Sequence, residues 1–261
     1  MALKADNLCL SYDMSGSSNR LHVLEDISLD VPKGAYYSII GPSGCGKTTI
    51  LQCLAGLIPA TAGAVSLESE SPVTVRDNHR VGFVFQKPLF FEWMSIQANV
   101  ALAATISGKN DAAGRASRYL EVFHLDGFAK SFPHELSGGM LARAALARAL
   151  VHEPDYLFLD EAFNHLDEAL RDEINLDIQS MWLKHTPTVV AVTHSIAEAV
   201  LMSDRILVFS KRPARIQSAF DVPFNRPRSL ALRRETQFVA LVEEIRRALS
   251  DVYGSPPSHA P

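Results

Sequence analysis

The feature of this sequence that most restricts its fold is a glycine-rich stretch at residues 41–49, which reads GPSGCGKTT. It follows an apolar, strand-like run, YYSII, and it opens a helix-like run, ILQCLAGL. In that context the spacing G-x-x-x-x-G-K-[ST] predicts a strand, a tight loop and a helix, with backbone N–H groups of the loop surrounding a phosphate. We therefore expect a chain that binds a nucleoside triphosphate, although kinases, GTPases and motors share this loop.

The residue types in the loop have chemical reasons. Glycine lets the backbone bend so that successive N–H groups point at phosphate oxygens, and the helix N-terminus adds a favourable dipole. We expect Lys47 to reach the β- and γ-phosphates and the Thr48 hydroxyl to ligate Mg²⁺. The predicted nucleotide contacts are Gly41, Pro42, Ser43, Gly44, Cys45, Gly46, Lys47, Thr48 and Thr49.

The order of strand-like and helix-like runs predicts the rest of the fold. Near the N-terminus LCLSYD and VLEDISLDV alternate as strands do, and GAVSLES and VGFVFQ are predicted as a strand pair. Residues 88–153 have helical periodicity, and strands alternate with helices after them, which implies a mostly parallel sheet. We predict a single domain over 1–261, with an α/β core at 1–87 and 154–225. The segment 88–153 is then a helical insertion, and 226–261 forms a C-terminal helix and tail.

Composition excludes several classes of protein. The 261 residues carry a net charge of −4, which lacks the basic excess of a nucleic-acid-binding surface. Cys9, Cys45 and Cys53 form neither a CxxC pair nor a His/Cys ligand cluster, a usage typical of a reduced compartment. The sequence has no signal-peptide pattern and no apolar run long enough to span a bilayer, so we expect any role at a membrane to depend on a partner.

Polar side chains follow three of the predicted strands. Asp160 and Glu161 end YLFL, Gln86 ends VGFVF, and His194 ends VVAVT. Ligands of parallel sheets lie beyond the carboxyl ends of the strands, so these residues are expected at one rim. There Asp160 would face Mg²⁺, and Glu161 would polarise a water toward the γ-phosphate. The alternatives are two acids that simply end a strand and a structural histidine.

A second glycine-rich point, Ser137, Gly138 and Gly139, opens the helix-like run LARAALARAL. Glycine costs a helix about 1 kcal/mol relative to alanine, so two in succession need a reason. The exposed N–H groups of such a helix start form an anion site. The phosphate loop already surrounds its own phosphate, so we infer that this second site serves a nucleotide held by another copy of the chain.

Together, GPSGCGKTT, LSGGM, YLFLDE and VTH, in this order and spacing, resemble the ATPase subunits of ATP-binding-cassette (ABC) transporters. The resemblance covers nearly the whole chain. It implies a P-loop NTPase fold with a RecA-like core, an N-terminal antiparallel β subdomain and an inserted α-helical signature subdomain. It also implies ATP hydrolysis in a head-to-tail homodimer, in which each ATP lies between one chain's phosphate loop and the other's signature helix.

The resemblance assigns further roles. Gln86 is similar to the glutamine that senses Mg²⁺ and water, Glu161 to the general base, and His194 to the switch histidine at the γ-phosphate. Asp167 is similar to the aspartate that links the two sites. Tyr12 is similar to the aromatic residue that stacks on adenine, the alternative being a core tyrosine of a first hairpin.

Finer features resemble the nitrate, sulfonate, taurine and bicarbonate importers: FFEWMSIQANV, HSIAEAVLMSDRILVFSKRPARI and RPRS. That branch implies permease subunits, an external solute-binding protein, and a peripheral position at the cytoplasmic face of the inner membrane. We expect Phe90, Phe91 and Trp93 to line a groove for a permease helix; the alternative is that they pack within the helical insertion. A soluble ABC ATPase without a transport role and a small-molecule kinase are the rival functions.

Some positions depart from the family pattern. Leu141 and Ala142 replace a basic residue and glutamine, and Ala162 replaces proline. The linking loop of the family usually reads Ala-Leu-Asp with a small residue before it, whereas here it reads Asn164–His165–Leu166–Asp167. None of these changes removes a phosphate-contacting group. We expect them to affect the turnover rate and the coupling between the two sites instead.

Overall fold

The computed structural model describes residues 2–13, 20–163 and 166–254. Its strands are β1 (Leu3–Asp13), β2 (Arg20–Val31), β3 (Tyr36–Ile40), β4 (Ala62–Leu67), β5 (Val81–Val84), β6 (Tyr156–Asp160), β7 (Thr188–Val192), β8 (Arg205–Phe209) and β9 (Ile216–Asp221). Its helices are α1 (Lys47–Leu54), α2 (Pro72–Asp77), α3 (Ile96–Ile106), α4 (Ala112–Val122), α5 (Gly138–Leu150), α6 (Glu168–His185), α7 (Ile196–Met202) and α8 (Thr236–Tyr253).

The strands form two sheets. A six-stranded sheet has the order β5-β6-β7-β3-β8-β9, parallel except for the antiparallel edge strand β9. The strands β3, β6 and β7 are buried along their whole length, which explains why YYSII, YLFLD and TVVAV are nearly continuous apolar runs. A three-stranded antiparallel sheet has the order β2-β1-β4, and β3 of the larger sheet comes between β2 and β4 in the chain. The predicted α/β class, with a mostly parallel sheet and a separate antiparallel one, is confirmed.

One local prediction is wrong. The runs GAVSLES and VGFVFQ do not pair, because β4 joins β1 in the antiparallel sheet and β5 joins β6 in the parallel sheet. The short helix α2 lies between them, with Pro72 in its first turn and the Ser71 hydroxyl accepting from Thr74 N–H. A six-residue helix is too short to show a helical period, and this explains why the two runs read as neighbours.

Helices α3, α4 and α5 lie between β5 and β6 in the chain. Their apolar faces meet around Ile96, Leu120, Phe123 and Leu146, all fully buried, in a core that continues to one face of the parallel sheet. The other face of that sheet packs on α1 and the antiparallel sheet in a second core. The carboxyl ends of the parallel strands remain uncovered by either core, and the polar strand-end residues lie there.

Across the described ranges, none of the helices combines the length and apolar content that a membrane-spanning helix requires.

Candidate nucleotide site

The phosphate loop connects β3 to α1 at the carboxyl edge of the parallel sheet. Gly44 and Gly46 have φ values of 71° and 123°, a left-handed region that favours glycine. A Cβ on Gly46 would lie 2.9 Å from Cγ1 of Val23, so this residue also needs to be small. No side chain caps the start of α1 at Gly46. The loop therefore has the form of a cradle whose N–H groups are available to an anion.

Lys47 is buried in this loop, with 4% of its surface exposed. Its ammonium group donates to the carbonyl oxygens of Gly41 and Pro42, at 3.1 and 3.0 Å. It lies 3.6 Å from Oε1 of Glu161. Two backbone oxygens of the loop thus hold the Lys47 ammonium group, and the Glu161 carboxylate compensates its charge only in part.

Thr48 and Asp160 meet beside the loop. The Thr48 hydroxyl donates to Oδ1 of Asp160 at 2.9 Å. Burial raises the pKa of the Asp160 carboxyl, against the hydrogen bond from Thr48. A hydroxyl and a carboxylate oxygen are donors that Mg²⁺ prefers, so this pair fits that ion. The described residues contain no group of three or more His, Cys, Asp or Glu placed to hold a metal, so a cation here needs phosphate oxygens or water to complete its shell.

Glu161 is the residue on which the predicted site converges. Nε2 of Gln86 donates to its Oε2 at 3.1 Å, and Nε2 of His194 lies 2.7 Å from its Oε1. Glu161 has a φ of 48°, a strained conformation for a side-chain-bearing residue, and its N–H donates to Val192 O. The turn of the chain after β6 therefore directs this carboxylate across the ends of β5 and β7. The four predicted catalytic residues thus form one cluster, in which Lys47, Gln86 and His194 each lie within 3.6 Å of the Glu161 carboxylate.

A pocket opens beside the loop. Tyr12 lines it from β1 with 45% of its surface exposed, together with Leu21 and Val23 of β2. The rest of the lining is Gly44, Gly46, Lys47, Thr48, Thr49, Glu161 and Arg212. Tyr12 is thus accessible to a ligand rather than enclosed in a core.

The signature segment (Ser137–Gly139) is not part of that lining. The Ser137 hydroxyl caps α5 by accepting from Met140 N–H at 3.4 Å, and Gly138 is exposed. Gly139 is buried, and a Cβ there would lie 2.2 Å from Cδ2 of Leu170 on α6. The second glycine therefore has a packing reason within the chain that the sequence pattern did not reveal.

Asp167 caps α6. Its Oδ1 accepts from Leu170 N–H at 2.9 Å. Of the positions that depart from the family pattern, Ala142 and Ala162 are buried, and Leu141 is partly buried against the helical core. Asn164 and His165 lie outside the described residues.

The predicted aromatic groove divides in two. Phe90 is partly buried, and the Arg148 guanidinium lies 4.6 Å from the centre of its ring. Phe91 and Trp93 are exposed to 42% and 74%, with ring centres 5.1 Å apart. Asn99, itself buried, holds their loop through hydrogen bonds to Phe91 N–H and to backbone oxygens. Packing within the insertion accounts for Phe90 but leaves Phe91 and Trp93 free.

Arg212 is the charged pocket residue that sequence reasoning missed. It follows β8, the neighbour of β3 in the sheet, and Nε and Nη2 of its guanidinium donate to Gly44 O at 3.1 and 2.6 Å. The available signal was the basic run KRPAR directly after a strand whose carboxyl end lies next to the phosphate loop.

Comparisons with known proteins agree with this arrangement. The family model described as ABC transporter matches residues 24–164. A taurine import ATP-binding protein of Rhizobium johnstonii is 38% identical over 239 residues, 88% of this chain and 89% of the relative. An aliphatic sulfonates import ATP-binding protein of Bacillus cereus is 35% identical over 220 residues, 84% of this chain and 86% of the relative. An ATP-binding cassette solved as a dimer in a post-hydrolysis state bound to ADP and Pi superposes with a TM-score of 0.78 at 26% identity, covering 85% of this chain and all of that one.

Proposed function

The chain belongs to the ABC transporter family as one of its ATP-hydrolysing subunits, and on that premise we propose that it powers the import of a small sulfonate. The observation that carries the mechanism is the convergence of Gln86 and His194 on Glu161 beside the phosphate loop. The substrate class rests on relatives named as taurine and aliphatic sulfonate import subunits.

Within the site, the loop N–H groups and Lys47 bind the phosphates of ATP, and Tyr12 stacks on the adenine. Gln86 and His194 hold the Glu161 carboxylate in position, and this carboxylate accepts a proton from the attacking water. Thr48, Asp160 and Gln86 would hold Mg²⁺, which would neutralise negative charge on the phosphates of ATP. Because Glu161 already contacts Lys47, Gln86 and His194, arrival of a triphosphate rearranges an existing cluster.

The signature segment (Ser137–Gly139) completes the site of a second copy in a head-to-tail homodimer. Two features support this proposal: the capped helix start with exposed Gly138 lies outside its own chain's pocket lining, and the structural neighbour is a dimer. Asp167, at the start of α6, links the two sites, since Leu170 on the same helix contacts Gly139.

Mixing of two inactive variants tests the shared site. Lys47→Ala removes the phosphate-binding cation of the loop, and Gly138→Asp places an acidic side chain at the anion-binding start of the signature segment. We expect each alone to lose hydrolysis, and their mixture to recover it, because a mixed dimer contains one site built from two intact halves. Activity of either variant alone, or hydrolysis per chain that does not depend on protein concentration, would contradict the shared site.

The exposed pair Phe91 and Trp93 forms the contact for a permease subunit, so the protein is peripheral at the cytoplasmic face of the membrane. An external solute-binding protein completes the importer. Crosslinking from a cysteine at Glu92 to the co-expressed permease tests the contact, with a cysteine at exposed Glu121 on α4 as the matched control. Sulfonate-stimulated hydrolysis in the reconstituted complex tests the substrate class. A complex stimulated only by another solute would refute the sulfonate, and failure to purify with any permease would favour an ATPase without a transport role.

A further inference from the structure

The turn between β8 and β9, Ser210–Arg215, borders the pocket through Arg212 and has no role in the hydrolysis proposed for this site. It is closed by backbone and side-chain hydrogen bonds, including Ser210 N–H to Arg215 O and Arg215 N–H to the Ser210 hydroxyl. Ala214, fully buried, exchanges backbone hydrogen bonds with β2 at Val23 and Glu25. The turn is therefore tied to the strand that supplies Leu21 and Val23 to the pocket.

This anchored turn holds Arg212 against the phosphate loop at Gly44. The guanidinium donates through Nε and Nη2 to one neutral acceptor, the carbonyl oxygen of Gly44. It forms no ion pair with a described carboxylate, and its Nη1 group makes no hydrogen bond to the part of the chain that the structure describes. Guanidinium has five N–H donors, so most of its donor capacity remains available to a ligand.

The charges of the pocket favour an anion at this point. Lys47 and Arg212 are the two cationic residues of the lining. Lys47 is engaged with two carbonyls and lies beside Glu161, so its charge is shared. Asp160 contacts Thr48 on the same side, and adds a second acid. A polyphosphate entering this pocket thus meets Glu161 beside Lys47, and a guanidinium at Arg212 that forms no ion pair with a described carboxylate.

We infer that Arg212 is a phosphate-binding residue of the nucleotide site, which supplies a second cationic donor to the polyphosphate in addition to Lys47. The inference rests on the proposed ATP site and assigns it a residue outside the recognised motifs. Arginine suits this role because its planar fork binds phosphate oxygens in pairs.

Nucleotide binding measured by calorimetry tests the role. We expect Arg212→Gln to weaken ATP binding about tenfold, as for loss of a charge-assisted hydrogen bond at a partly solvated site. Arg212→Lys should recover part of the loss, because a point charge replaces a fork. The affinity should also fall less steeply with salt in Arg212→Gln than in the wild type. The matched control is Arg215→Gln, on the same turn, because Arg215 pairs with Glu25 at 2.7 Å and does not line the pocket.

The thermal unfolding midpoint without nucleotide separates binding from bracing of the loop. We expect it to be the same in Arg212→Gln and the wild type. Wild-type ATP affinity in Arg212→Gln, or a lowered midpoint that accounts for the weaker binding, would overturn the inference. Lys47→Ala serves as the reference: if it abolishes ATP binding while Arg212→Gln does not weaken it, only the role of Arg212 falls. If the wild type itself does not bind ATP, the proposed function falls as well.

Discussion

The phosphate loop and the signature segment both place a glycine-rich turn at the start of a helix, yet their surroundings differ. Around the loop, Asp160 ends β6 with Glu161 directly after it, and His194 follows the neighbouring β7. Asp160 accepts from the Thr48 hydroxyl, and Nε2 of His194 lies 2.7 Å from Glu161. Around the signature segment, the cap is satisfied by its own helix, and Gly139 is covered by Leu170. The phosphate loop is surrounded by polar side chains from other elements, whereas the signature segment has its hydrogen bonds and packing satisfied within the chain. The difference supports the proposal that hydrolysis takes place at the loop and that the signature segment contacts a nucleotide bound by another copy of the chain.

The strongest way to test this contrast is to remove the group on which the loop region converges. We expect Glu161→Gln to lower hydrolysis at least about 100-fold, since it removes the proposed general base, and to leave ATP binding intact. Steady-state hydrolysis and equilibrium binding measure the two effects. Glu121→Gln, at an exposed position on α4, is the control. Hydrolysis near the wild-type rate would show that the base lies elsewhere.

A second prediction concerns Glu198, which is hydrogen-bonded to Thr193, the residue before His194. Glu198 on α7 is almost fully buried, accepts from the Thr193 hydroxyl at 3.1 Å, and has a pKa raised to about 7 by burial. From pH 4.5 to about 7 the unfolded chain loses this proton while the folded chain keeps it. The free energy of unfolding therefore falls as pH rises, by up to about 3 kcal/mol.

Glu198→Gln cannot titrate, so we expect a flatter dependence of the unfolding free energy on pH across that interval. Denaturant unfolding at several pH values measures it. Curves of equal slope for the two proteins would mean that Glu198 is ionised throughout.

The packing of the signature segment gives a smaller effect. We expect Gly139→Ala to destabilise the fold by about 1 kcal/mol, because the added methyl group forces Leu170 out of its rotamer or α5 away from α6. Leu170→Ala in the same chain should make room for the methyl group, so the double variant should recover part of the stability lost in Gly139→Ala, as measured by denaturant unfolding. Gly138→Ala, at the exposed neighbour, is the control for stability. If the double variant is no better than Gly139→Ala alone, the second glycine is required for something other than this contact.

The smallest expected effect is on the helix cap. Ser137→Ala removes a long hydrogen bond to Met140 N–H, and should cost about 0.5 kcal/mol. Its matched control is Ser95→Ala, which removes the equivalent cap of α3 at 3.2 Å. We expect both variants to lose similar stability and only Ser137→Ala to lose hydrolysis. Equal hydrolysis in both would reduce Ser137 to a cap and remove the signature segment from the shared site.

Much of the fold could be predicted because its signals are local. The apolar runs of β3, β6 and β7 and the helical periods of α4, α5 and α6 identify those elements, and the phosphate loop identifies the edge of the sheet at which they end. The six-residue helix α2 left no period and was missed. The segment boundaries at 87, 153 and 225, and the roles of the site residues, stay predictions.

The sequence by itself determined the elements, the phosphate loop and the set of polar strand-end residues, because strand and helix periods and turn glycines depend on neighbours along the chain. The tertiary structure alone decided that Gln86 and His194 both reach Glu161, that Gly139 is covered by Leu170, and that Arg212 lies over Gly44. The physical reason is that strand order in the sheet brings together residues far apart in sequence. Such contacts depend on packing and burial, which leave no periodic trace in the chain.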